Sequence, residues 1–354
     1  MRIVVATIVH HPEDARIFYR QIPALIDGGH DVVYVAPKAE RDLSRPGLRH
    51  RQVVRAEGRH RIRALLAAAD ALKEESGAAD LTIVHDPELT VLTRSVNGAR
   101  IWDVHEDLPA QIEDKDWIPR WLGGTARFVA RRIENRASRY FNLMLAEDSY
   151  VDRFKGGVVV RNTPSVPEAV TPPGDCRIVY VGRVSRSRGV QVMVDAMRRL
   201  DSDLHLDVYG SVDAEVAPIL GAAGPNVTTH GFLANPIVLS QIEGAMVGLA
   251  LLRETGNYRA SIPTKVLEYM ARGVPVITTP NPLARQIVED SGAGFVVPFD
   301  DPVEVVRAVE RLRDPGIRAS CAENGRRAVR NGFDWSVDAR AMLELVDRVG
   351  LFDP

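Results

Sequence analysis

No apolar run in this 354-residue chain approaches the roughly 20 residues that span a bilayer, which excludes a transmembrane helix. Cysteine is nearly absent. Cys176 and Cys321 stand far apart, in no metal-binding or redox spacing, and indicate a reducing compartment and small buried side chains. Charge of either sign is not in excess: a net charge of -2 argues against a general nucleic-acid binder. Neither a Walker loop nor the Gly-x-Gly-x-x-Gly dinucleotide pattern occurs, and no Asp-x-Asp metal site is read beside a strand. The short apolar run at residues 1–9 lacks a basic leader and passes directly into His10, His11, Pro12, Glu13 and Asp14. A first buried strand is expected there rather than a signal peptide.

What is present is the composition of a soluble globular protein, 45% hydrophobic and 26% charged, in a chain too long for one typical core. Apolar runs alternate with helical periodicity, the pattern of a parallel α/β architecture. In the first half, strands are expected over residues 2–9, 31–35, 81–84, 100–104, 143–146 and 157–160, with helices over 14–27, 64–75 and 118–140. A proline-rich stretch at 162–175 interrupts the series and sets the domain boundary, giving domains 1–163 and 164–335. A second series follows, with strands over 177–181, 204–208, 227–230, 247–251, 274–279 and 294–297. Helices are expected over 190–200, 236–243, 283–290, 302–312 and 317–330, and a last one over 336–349.

Two turns in the second half carry chemistry. Between Ser261 and Pro280 a loop leads into a helix with Lys265 in its first turn and Glu268 one turn on, then a stop at Gly273 and a buried strand. Ser261 is expected as the N-cap and Pro263 in the first helical turn. A helix start of this kind offers free N–H groups and a positive dipole end to an anion. It can equally be an amphipathic helix with a solvated Lys265–Glu268 pair. The earlier turn runs from Gly182 to Gly189 and holds Arg183, Arg186 and Arg188 directly after a strand. Arginine forks suit phosphate oxygens and glycine permits close approach, although such a loop also serves as a solvated turn. Gly210 and Gly231 follow strands and are candidate turns against a nucleobase.

These loops, in this order, resemble the C-terminal domain of retaining glycosyltransferases of GT-B architecture, specifically family 4. The likeness extends to His10–Phe18, Gly29–Val32, Val84–Leu89, Trp102–Pro109 and Val160–Pro164, and so to nearly the whole chain. It implies two Rossmann-like, doubly wound α/β domains facing each other across a cleft, with a final helix at 336–354 that packs back on the first. It further implies that Arg183, Arg188 and Lys265 hold a donor diphosphate, with Glu268 on the ribose hydroxyls and Ser261 and Thr264 offering backbone N–H groups. His105 is the first-domain residue implied at the donor sugar, and Arg183 and Lys265 join it as catalytic candidates. Asp14, Arg16 and His85 are acceptor-side candidates, with a salt bridge between Arg16 and Asp14 as the structural alternative. Relatives commonly carry a second glutamate where this chain has Ala260, and a glycine-rich loop where it has Asp14 to Arg16.

The implied activity is transfer of a sugar from a UDP- or GDP-sugar to a glycan or small-molecule acceptor, by front-face displacement with no metal and no cofactor. A nucleotide-sugar epimerase and a silent nucleotide-sugar-binding homologue are the alternatives. A cytoplasmic protein is expected. Arginine-rich segments, one from Arg41 to Arg63 and one from Arg127 to Arg139 preceded by Trp117 and Trp121, are either solvated faces or a peripheral contact with the inner face of a membrane.

Overall fold

The computed structural model describes residues 1–56, 61–93, 98–105, 120–154, 156–254 and 261–352. The chain folds as two compact units, Met1–Asn162 with Ser336–Pro354, and Thr163–Trp335. Among the described residues no helix is long and apolar enough to cross a membrane.

The first unit is built on β1 (Arg2–Ala6), β2 (Asp31–Pro37), β3 (Leu48–Val53), β4 (Leu81–Val84), β5 (Ala99–Val104), β6 (Asn142–Leu145) and β7 (Val158–Val159). All are parallel, in the order β3-β2-β1-β4-β5-β6-β7. The central strands are apolar on both faces because helices cover both, as parallel sheets require. β3 falls inside what the sequence offers only as an arginine-rich stretch. Its Arg49 and Arg51 are exposed while Leu48 is buried, the charged edge that keeps an open sheet from pairing further. The helix expected over residues 14–27 is two pieces, a π-helical turn at Ile17–Gln21 and an α-helix at Ile22–Asp27. The last helix, Trp335–Phe352, serves this unit: the Asp338 carboxylate accepts from the Arg161 N–H at 2.9 Å.

The second unit repeats the plan with β8 (Arg177–Val181), β9 (His205–Tyr209), β10 (Val227–Gly231), β11 (Val247–Ala250), β12 (Val276–Thr278) and β13 (Gly294–Val296). These too are all parallel, in the order β10-β9-β8-β11-β12-β13. Both sheets therefore reverse direction beside their first strand, between β1 and β4 and between β8 and β11. In doubly wound sheets the crevice at the carboxyl ends of those two strands is where ligands bind. Two arginines of the Pro315–Gly332 helix, Arg326 and Arg330, donate to the carbonyls of Pro167 and Glu168 and so hold the proline-rich stretch. The segment from Asp201 to Asp203 is an Asp-x-Asp pair beside β9. It lies at the strand's amino end, and both carboxylates pair with Arg313, so they are spoken for.

Candidate functional site

In the second unit the turn after β8 brings two cations to one point. A Cβ on Gly182 would lie 3.2 Å from Arg188 Nη1 and 3.4 Å from Lys265 Nζ. Gly182 adopts φ 117°, so this close approach needs glycine twice over. Gly189 is equally constrained, because a Cβ there would fall 2.2 Å from the carbonyl oxygen of Leu251. Lys265 is 8% exposed, its Nζ has no hydrogen-bond partner among the described residues, and it stands 4.0 Å from the centroid of the Tyr180 ring. Burial, and then the neighbouring Arg188, push its pKa well below the ordinary lysine value, with Glu268 opposing them only in part. A buried ammonium with no hydrogen-bonded partner is costly.

The helix bearing Lys265 runs over Thr264–Ala271. Pro263 is its N-cap, since the Pro263 carbonyl accepts from Val266 N–H at 2.9 Å. Ser261 therefore lies outside the cap, and Pro263 stands one position earlier than the sequence suggests. No side chain caps this helix start. Glu268 is 6% exposed and accepts from Asn235 Nδ2 at 3.3 Å. The Tyr269 hydroxyl accepts from Val181 N–H at 2.8 Å and donates to Leu249 O at 3.2 Å, fixing the helix to β8 and β11. Gly248 makes room for that ring: a Cβ there would lie 2.5 Å from it.

The remaining donor-side candidates separate. Arg183 points to the loop after β9, where Nε donates to Asp213 Oδ1 at 2.6 Å, and its side chain is 64% exposed. Gly210 has a packing reason, because a Cβ there would fall 2.1 Å from Gly182 O. Gly231 has open space around it and a φ of 69°. Ala260, with Arg259 and Asn257, lies outside the described residues.

In the first unit the carboxyl ends of β4 and β5 carry a buried cluster centred on Asp103. Arg16 grips Asp103 with two hydrogen bonds, Nε to Oδ2 at 2.9 Å and Nη2 to Oδ1 at 2.7 Å. Gln21 Nε2 donates to Oδ2 at 2.7 Å, and His105 Nε2 lies 2.8 Å from the same oxygen. His85 Nδ1 is 3.2 Å from Oδ2 and 2.9 Å from His105 Nε2. Burial would raise the Asp103 carboxyl, yet Arg16 and His105 beside it hold it well below the usual range. His105 is pushed down to about 4 by burial, against the pull of Asp103. The two facing ring nitrogens cannot both carry protons, so at most one N–H lies between the rings.

Arg16 thus pairs with Asp103 and not with Asp14. Asp14 instead caps the π-helical turn, its Oδ1 accepting from the N–H groups of Arg16 at 2.9 Å and Ile17 at 3.0 Å. Asp86, which the sequence shows only as a neighbour of His85, is 1% exposed and accepts from Ile8 N–H at 2.5 Å and Thr7 Oγ1 at 3.0 Å. His10 packs against His105 with centroids 4.7 Å apart and the rings tilted by 47°. The signal for this cluster was a lone carboxylate, Asp103, in the otherwise apolar strand Ile101 to Val104. Glu106 and Asp107 lie outside the described residues.

His85, Asp103 and His105 form the one group among the described residues whose ligand atoms, within 4.8 Å of one another, could hold a metal ion. Arg16 and Gln21 already take the lone pairs of Asp103 Oδ2 that a metal would use, and the guanidinium repels a cation. The donor set fits shared protons better.

The two sheets define the fold: two doubly wound α/β units, the architecture of the glycosyltransferase structures that this chain resembles. Residues 175–314 match the family model "Glycosyl transferases group 1", so the second unit carries that family's domain. Among curated proteins, the chain is 30% identical to an alpha-D-kanosaminyltransferase of Streptomyces kanamyceticus, over 42% of this chain and 39% of that one. It is 28% identical to a phosphatidyl-myo-inositol mannosyltransferase of Mycobacterium leprae, over 66% of this chain and 61% of that one. The chain thus matches less than two thirds of the length of either relative. Among solved structures, sucrose-phosphate synthase from Thermosynechococcus elongatus superposes with a TM-score of 0.75 at 18% identity, covering 98% of each chain. Anabaena HepE in complex with UDP-glucose gives 0.75 at 14% identity, covering 98% of this chain and 100% of that one.

Proposed function

We propose that this protein transfers a glycosyl unit from a nucleoside diphosphate sugar, UDP- or GDP-linked, to an acceptor hydroxyl with retention at the anomeric carbon. The observation that carries the reading is Lys265 Nζ, buried beside Arg188 at an uncapped helix start and without a hydrogen-bond partner among the described residues. Such a point is short of one anion, and a diphosphate supplies it. Charge-assisted hydrogen bonds of this kind contribute about 1.5–3 kcal/mol each. Glu268 takes the ribose hydroxyls, and Ser261 and Thr264 offer N–H groups to the phosphates. Arg183 exchanges Asp213 for a phosphate oxygen when the donor binds.

In this reading the anomeric carbon–phosphate oxygen bond breaks on the face where the acceptor oxygen enters. The departing phosphate oxygen takes the acceptor's proton. Arg188 and Lys265 stabilise the charge that develops on it, the role a metal ion would otherwise serve. The first unit supplies His105 to the reacting sugar. Asp103, Arg16 and His85 fix the tautomer and orientation of His105 rather than touching the acceptor. The acceptor is a glycan, a lipid-linked saccharide or a small natural product. We place the protein in the cytoplasm, in keeping with two unpaired cysteines.

A thermal-shift panel of nucleoside diphosphates and their sugars tests the site, because a ligand of the native state raises its melting temperature by mass action. Donor consumption only when an acceptor is present separates transfer from epimerisation and from silent binding. Turnover that EDTA abolishes and manganese restores would sink the metal-free course.

A further inference from the structure

Of the two arginine-rich segments, the first pairs most of its described arginines with the protein's own acids, and the second pairs none of those whose side chains are described. In the first, Arg41 pairs with Glu13, Arg49 with Glu75, Arg51 with Glu74 and Arg61 with Glu88. The second lies on the Arg120–Tyr140 helix, where Arg131, Arg132, Arg136 and Arg139 are exposed and have no ion pair among the described residues. Its acid, Glu134, is 2% exposed, faces inward and pairs with Arg153.

Helical spacing puts Phe128, Arg132, Asn135 and Arg139 on successive turns of one face. Phe128 is 62% exposed, an unusual place for phenylalanine, with the Arg132 guanidinium 6.0 Å from its ring centroid. Between this helix and the short helix Leu89–Leu92 runs a groove of about 600 Å³, lined among others by Val91, Arg132, Arg136, Arg139 and Tyr140. Val91 and Tyr140 are each about half exposed, at 52% and 51%. Tyr140 directly precedes Phe141 and β6, so the groove lies at the amino edge of the sheet, opposite His85 and His105.

We propose that this groove and the Phe128 face dock on an anionic phospholipid surface. The guanidinium groups take lipid phosphates, while Phe128, Val91 and Tyr140 enter the boundary between headgroups and acyl chains. Unneutralised arginine selects anionic over zwitterionic lipid. The apolar side chains select a lipid surface over a soluble phosphate or a nucleic-acid backbone, neither of which gains from burying Phe128. The inference goes beyond glycosyl transfer and stands apart from it.

The test is co-sedimentation of the full chain with phosphatidylcholine vesicles and with vesicles containing phosphatidylglycerol. Binding is expected only to the anionic vesicles, and high salt should release it. Each arginine near the surface is worth about five-fold in partitioning, so Arg132→Ala, Arg136→Ala and Arg139→Ala together should lower it on the order of a hundred-fold. Phe128→Ser should lower it several-fold with the charge intact, and Arg41→Ala and Arg49→Ala should change it little. Unchanged melting temperatures would show that the variants fold. Protein that stays in the supernatant at low salt overturns the proposal. So does binding that ignores the helix variants, or stabilisation by inorganic phosphate or single-stranded RNA without vesicle binding.

Discussion

The two units bury ionisable groups in opposite ways at the carboxyl ends of their strands, at β4 and β5 in the first and beside β8 and β11 in the second. In the first unit the Asp103 carboxylate is saturated by Arg16, Gln21 and His105. In the second, Lys265 and Arg188 lie side by side, and Lys265 Nζ has no hydrogen-bond partner among the described residues. A saturated cluster is a fixed support, while an unmatched cation is where the proposed reading seats the anionic donor. The same fold thus carries an unanswered charge in one unit and a rigid platform in the other.

Removing the anion at the centre of the first cluster should have the largest effect. Asp103→Ala strands the Arg16 guanidinium in a buried site and should cost about 3–5 kcal/mol in a denaturation experiment. A smaller cost would mean that water reaches the cluster. Acid should strain the same place. His105 has a lower pKa folded, about 4, than unfolded, 6.5, so the unfolded chain binds the proton first. Stability of the first unit should then fall as pH drops from 6.5 towards 4, by roughly 2–3 kcal/mol. The low Asp103 carboxyl extends the loss below the usual aspartate range, where the unfolded carboxylate protonates and the folded one does not. A flat stability profile by urea titration across that window would contradict the picture.

The second site should behave in reverse. Lys265→Met removes a buried amine that makes no hydrogen bond among the described residues, so the melting temperature should hold or rise. Nucleoside diphosphate affinity should fall by about 1.5–3 kcal/mol by calorimetry, a factor of ten or more. Because burial and Arg188 depress the Lys265 pKa before the ligand arrives, an anionic diphosphate should raise it. The smallest effect is at the exposed pair: Asp213→Ala, which removes the ion pair to Arg183, should change stability by less than about 1 kcal/mol. If it leaves diphosphate affinity unaltered as well, Arg183 is not the mobile ligand assigned here.

The strands were legible because a parallel sheet covered on both faces demands unbroken apolar runs, and β4 and β8 fall on their expected residues. β3 was missed because an edge strand need be apolar on one side only, and its arginines hid the alternation. Lys265, Glu268 and Arg188 could be picked from their place after strands and at a helix start. The partners of His105 could not, because Arg16, Gln21 and Asp103 come together only when the sheet forms. Residue type told where a charge was, and packing told whether it was already answered.

The phenol of Tyr269 has one more consequence. β8 and β11 share register only at Ile178 with Val247 and Val179 with Gly248, and beyond that the hydroxyl joins Val181 to Leu249. The sheet is unzipped at its end and pinned with a side chain from the very helix that carries Lys265 and Glu268. Those two groups therefore keep the sheet's own coordinates, like a tool bolted to the bench instead of held by the loops around it. Changes in the loops after β9 and β10 could then retune which ligand is accepted without displacing the two groups proposed to meet its phosphate and its ribose.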